Sequence, residues 1–201
     1  TDVAHLVLLP QISAYLEEHA PLVQLNVHSI KSQSLALLKD GTLDLIVGYY
    51  EQLDDYFYQQ KLFEQYFVVI AAKDHPRLKH PQITLNEYLA EKHIDVEVGA
   101  GHFSFERHIR QMGYQRNKVM TLPSYLGVGL VVQQSDAIAT VPFYLSEVLL
   151  ARGNLQILEL PQDFPTYAIK QFWYISNHNQ KSHQWIRQVF YENLKNLNTQ
   201  R

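Results

Sequence analysis

The chain has 201 residues, 17 Lys and Arg against 20 Asp and Glu, a formal net charge of -3, 46% hydrophobic residues and no cysteine. That length supports one domain or two small ones with a real core, and the hydrophobic share excludes disorder as the default state. The lack of cysteine excludes a disulfide framework and thiolate metal sites, while an acidic balance with scattered basic residues excludes a surface that tracks phosphates. No basic-then-apolar leader and no bilayer-length apolar run is visible, so a cytoplasmic location without membrane contact is expected.

In chain order, Asp2 can cap a helix whose Leu6, Leu9, Ile12, Tyr15 and Leu16 recur at helical spacing, kinked at Pro10 and closed by Ala20-Pro21. Val23, Leu25 and Val27 alternate as a strand. Leu35, Leu37 and Leu38 make an apolar helix face that stops at Gly41, the residue best able to take the left-handed C-terminal position. Leu43, Leu45 and Val47 then alternate in a strand ending at Gly48, and the carboxyl end of such a strand is where ligands sit in open α/β sheets. Phe67 to Ala72 is an apolar strand that runs into Asp74-His75-Pro76.

Beyond it, Thr84 and Glu87 form a capping box for a short helix, and "HIDVEVG" alternates as a strand. "SFERHIRQMG" is a helix capped by Ser104 and ended by Gly113; "NKVMTLPS" is a strand, and Ser124 starts a helix. "DAIATVP" is a buried strand halted by Pro142. "YAIKQFWYI" is rich in β-formers and leads into a helix capped by Ser182, with Trp185, Val189, Phe190 and Leu194 on one face. This order predicts an α/β protein with mainly parallel strands.

Enzyme signatures are missing: there is no Gly-x-Ser-x-Gly, no His-Glu-x-x-His, no phosphate loop and no cysteine nucleophile, and no catalytic residue is expected. His102 and His108 are six apart with no nearby acid at ligand spacing, so neither a metal site nor a cofactor is expected. "GAGHFSFE", 99 to 106, reads as a loop whose glycines let the backbone and His102 approach a ligand. The same residues also fit an exposed loop histidine.

"LLP" at 8 to 10, "AP.V.L.V" from 20 to 27, "L..G.LDL.VG" from 38 to 48, "HP" at 75, "PS" at 123, "SDAIATVP" at 135 to 142 and "W.R" at 185 to 187 together resemble the effector-binding domain of LysR-type transcriptional regulators. The blend of "PSYLGVG", "SDAIATVP" and "HQWIRQ" is similar to the branch with regulators of aromatic catabolism and nodulation. The resemblance implies a type II periplasmic-binding-protein-like fold of two lobes, residues 1–72 plus 171–201 and residues 73–170, each with a mostly parallel sheet flanked by helices, joined by two crossover strands. It also implies a small, aromatic effector in the cleft between lobes, self-association, and DNA contact only through a winged helix-turn-helix and linker helix outside this sequence. The family's first strand is missing ahead of "TDVAHLVLLP". A transport-type solute-binding protein shares the fold and stands as the alternative.

Carried over residue by residue, the resemblance places Thr1, Asp2, Ser32, Gln33, Gly48, Tyr49, Gly101, His102, Phe103, Ser124, Tyr125, Pro142, Phe143, Pro165 and Tyr167 at the effector. Helix starts at Asp2, Ser32 and Ser124 would offer free amides to a carboxylate or phenolate, and the aromatics would wall the pocket. Each Ser could equally be a plain cap, and each aromatic plain packing.

Overall fold

A computed structural model describes residues 2–50, 53–97, 99–161, 164–195 and 197. The chain divides into two compact units: Leu8–Glu64 with the chain from Tyr167 onward, and Asp2–Val7 with Gln65–Thr166. In this division the chain passes between the units at 7/8, 64/65 and 166/167.

The first unit holds α1 (Leu9–His19), α2 (Ser34–Lys39), β1 (Ile46–Gly48), β2 (Phe57–Gln65, its last residue in the second unit), and later in the chain β8 (Tyr167–Tyr174) and α7 (Lys181–Leu194). Its sheet has the order β1-β8-β2, with β1 antiparallel to β8 so that Ile46 faces Phe172. Leu38, Ile46 and Phe172 form a core, and burial of each contributes about 1.5–3 kcal/mol. Pro10 sits at the start of α1 just after a π-helical turn at Ala4–Leu8. Its missing N–H is tolerated in a first turn, so α1 restarts there instead of kinking in mid-course.

Three expectations fail here. Val23, Leu25 and Val27 form no strand: residues 22–31 have no regular structure, and these side chains are exposed. An alternating pattern becomes a strand only when a neighbour completes its ladder, and among the described residues this sheet offers none. Ser182 lies inside α7, whose N-cap is Gln180 without a side-chain bond. The buried face of α7 is His183, Arg187, Val189, Phe190 and Leu194, while Trp185 is exposed.

The second unit carries β3 (Phe67–Ala72), α3 (Leu85–Ala90), β4 (Lys92–Val96), α4 (Gly99–Gln111), β5 (Asn117–Leu122), α5 (Val128–Val132), β6 (Ala137–Pro142), α6 (Phe143–Leu150) and β7 (Leu155–Leu158). Its sheet has the order β5-β4-β6-β3-β7. β4 runs parallel to β5 and β6, but β3 is antiparallel to β6 and β7. The sheet is mixed because β3 enters it from the first unit, not through a βαβ crossover. One core joins Val68, Ile70, Ile94, Val96, Tyr125, Val128, Ala139, Val141 and Leu145. Thr84 and Glu87 do form the capping box of α3. Gly41 and Gly113 end their helices at φ 82 and 74, the left-handed region expected of them.

Candidate functional site

In the first unit the end of β1 gathers the expected residues. Gly48 pairs with Lys170 of β8, and a Cβ there would stand 2.7 Å from Ile30 Cδ1, so glycine lets the segment before α2 cross the strand end. Tyr49 and Tyr167 meet edge to face with ring centroids 5.4 Å apart, both half-buried. Ser32 and Gln33 are exposed just ahead of α2; Gln33 is its N-cap without a side-chain bond, and the first helical residue, Ser34, accepts from Lys31 N through Oγ at 2.9 Å. Thr1 lies outside the described residues.

In the second unit Asp2 and the 124–128 turn come together. The Asp2 carboxylate does not cap its own helix; it accepts the Tyr125 amide at 2.6 Å. Ser124 Oγ accepts from Leu126 N at 3.1 Å, and α5 starts only at Val128 with Gly127 as N-cap, so Ser124 organises a turn and is not a helix cap. Two amides expected to be free for a ligand are therefore bonded within the chain. Tyr125 is buried, which pushes its phenol well above the usual range. Pro142 ends β6, and Phe143 stacks on Tyr66 with centroids 4.7 Å apart while donating its amide to Tyr66 O at 2.9 Å. Pro165 is exposed.

"GAGHFSFE" is not a loop. Helix α4 already begins at Gly99, so Gly101, His102 and Phe103 are helical, Ser104 is no cap, and His102 is 5% exposed. Its helical spacing to Glu106 (i, i+4) puts both on the face turned to β4 and β5. There Asp95 and Glu106 share two cations. Lys118 Nζ bridges them, 2.6 Å from Asp95 Oδ2 and 2.8 Å from Glu106 Oε2. Arg116 Nη2 donates to Glu106 and, at 3.2 Å, to Asp95 Oδ1, and its guanidinium lies 5.5 Å from the Phe105 ring centroid. Sequence reading missed this cluster because the acids at 95 and 106 meet His102 only when strand and helix pack; the i, i+4 pair His102/Glu106 was its one visible trace.

Burial drives His102 down to about 4, against the pull of Asp95 and helped by Arg116 and Lys118. Burial also drives His93 to about 4, with Arg116 adding to the effect. Burial would raise Asp95, but the Lys118 hydrogen bond and the Arg116, His102 and Lys118 charges outweigh it and hold the carboxyl below its usual value. His102 Nε2 stands 3.8 Å from Asp95 Oδ1 and has no hydrogen-bond partner among the described residues.

Among the described residues no helix is long and apolar enough to cross a membrane. The chain is 29% identical over 196 residues to the HTH-type transcriptional activator NahR of Pseudomonas putida, covering 96% of this chain and 64% of that protein. It is 26% identical over 194 residues to the HTH-type transcriptional activator NagR of Ralstonia sp, again 96% of this chain and 64% of the relative, so it spans under two thirds of these relatives' length. A probable transcriptional regulator of Pseudomonas aeruginosa matches in structure with TM-score 0.81 at 27% identity, over 94% of this chain and 63% of that one. The effector-binding domain of QuiR in complex with shikimate matches in fold, with TM-score 0.74 at 16% identity over 95% of this chain and 92% of that one. Residues 1–195 match the model of the LysR substrate binding domain, and the chain belongs to that family.

Proposed function

We propose that this chain is the sensing domain of a LysR-type transcriptional regulator that takes up a small aromatic effector in the bacterial cytoplasm. The observation that carries the reading is the family match across residues 1–195. Its likeness to two HTH-type activators supports a regulator over a transport protein or an enzyme. DNA contact falls to a winged helix-turn-helix of the whole regulator. The effector must bind one conformation of the domain better than another, or it could shift nothing.

The aromatic class is supported by ring pairs at the candidate positions: Tyr49 with Tyr167 in the first unit, and Phe143 with Tyr66 in the second. Rings of this kind hold a flat ligand by stacked or edge contacts of about 0.5–1.5 kcal/mol each. We assign effector contact to Ser32, Gln33, Gly48, Tyr49 and Tyr167 of the first unit and to Ser124, Pro142, Phe143 and Pro165 of the second. Asp2 and Tyr125 shape the turn that presents Ser124. Gly101 and Phe103 stay candidates on α4, whereas His102 faces Asp95 and is withdrawn as a loop contact.

A thermal-shift screen of small aromatic acids and phenols tests the reading. A hit should bind by calorimetry, and Tyr167→Ala and Phe143→Ala should each weaken it about tenfold. A screen in which aromatics leave the melting temperature unmoved while sugars or amino acids raise it would overturn the aromatic assignment.

A further inference from the structure

Asp95, His102 and Glu106 are all more than nine-tenths buried, and one potential ligand atom from each lies within 4.8 Å of the others. A strand supplies the aspartate; one helical turn of α4 supplies the other two at i, i+4. A nitrogen with two carboxylates is a hard-to-borderline set suited to zinc-like ions, which take His and Asp/Glu ligands in tetrahedral array with water in the remaining position. Bonds of about 2.0–2.2 Å in that array put ligand atoms about 3.5 Å apart. The widest separation, 4.8 Å, needs to close by about 1.3 Å, within reach of side-chain rotation.

Two further features favour a cation. His102 Nε2, buried and without a hydrogen-bond partner among the described residues, stands 3.8 Å from Asp95 Oδ1. A polar atom in that state is costly, and a ligand that bonds it repays the cost. Lys118 already places a positive group between Asp95 Oδ2 and Glu106 Oε2, marking where a cation is stable. Its side chain is 36% exposed on the edge strand β5, so the ammonium can swing to water on its flexible stem. The Arg116 guanidinium, 2% exposed and hydrogen-bonded to both acids, stays.

We propose that Asp95, His102 and Glu106 form a site for a divalent transition cation of the zinc class, which enters by displacing the Lys118 ammonium. With the lysine out, two carboxylates and one guanidinium leave one negative charge facing the ion. Loading would lock α4 to β4 independently of any effector in this domain.

The 201-residue chain titrated with cobalt(II), then with zinc(II), tests this. One equivalent of cobalt should develop the visible bands of a four-coordinate ion, and zinc should bleach them. His102→Gln should weaken binding at least about tenfold, since even outer contacts to a metal are worth that much. Lys118→Gln should tighten it, and zinc should raise its melting temperature more than the wild type's. Circular dichroism checks that His102→Gln folds; if it does not, the Lys118→Gln affinity alone decides. No bands in wild type or Lys118→Gln would overturn the proposal. So would uptake unchanged by His102→Gln, which would put the ion on others of the ten histidines.

Discussion

At position 102 the sequence offers a histidine beside a Gly-x-Gly, and the fold turns it into a core residue of α4 packed beside a buried aspartate. His102→Ala should therefore lower ligand-free stability by about 1–3 kcal/mol, the scale for disturbing a buried polar network, as read from urea denaturation. The chain should also lose stability as pH falls from about 6.5 to about 4. His93 and His102 are held neutral down to about 4 when folded, so the unfolded chain takes up their protons first. The stabilisation is complete above about 6.5 and gone below the folded values. His93→Gln should flatten this fall; an unfolding midpoint that stays constant between pH 7 and 4.5 would refute the assignment. Gly41, Gly113 and Pro142 were legible one residue at a time, because each acts through its own backbone. Asp2 and Ser124 were not, because their partners are set by tertiary contact.

Elements defined by local chemistry read well from sequence. The Thr84 capping box is one: its hydroxyl accepts from Glu87 N at 3.3 Å and the Glu87 carboxylate accepts from Thr84 N at 2.9 Å. Thr84→Ala should cost about 1 kcal/mol by chemical denaturation. In α7 the buried Arg187 donates to the carbonyls of Asn177 at 3.2 Å and His178 at 2.9 Å and lies 4.3 Å from the Trp173 ring centroid. Arg187→Met would take the charged donor from both carbonyls, leaving Asn177 O only the Gln180 amide and His178 O only Gln184 Nε2, and should cost about 2–3 kcal/mol in the same measurement, above the cap. That explains structurally the "W.R" piece of the resemblance: the arginine holds the turn before its own helix. The helix start at Gly99 escaped sequence reading, since glycines look like a loop until the packed face of α4 is known.

For the whole molecule, self-association is the expectation that the fold reassigns. Within "HLVLLPQI", Val7, Leu8 and Ile12 are buried and turn to the core. Exposed apolar residues gather instead at Leu22, 95% exposed, with Val23, Leu25, Val27 and Ile30. An exposed apolar run of this kind marks a candidate surface for self-association. Analytical ultracentrifugation should show concentration-dependent dimers that Leu25→Glu/Val27→Glu weakens; monomers at every concentration would count against it. With a net charge of -3 the chain alone should bind no duplex DNA at physiological salt, as fluorescence anisotropy would check.

By itself, the sequence determined the alternation of helices and strands, the stops at Gly41 and Gly113, the Thr84 cap and the family, since each rests on local spacing or on an ordered set of short motifs. Tertiary structure decided the mixed sheet, the missing strand at 23–27 and the charge centre around Asp95. Strand direction, ladder partners and buried ion pairs depend on residues far apart in the chain, and only packing brings Asp95, His102, Glu106, Arg116 and Lys118 within reach of one another.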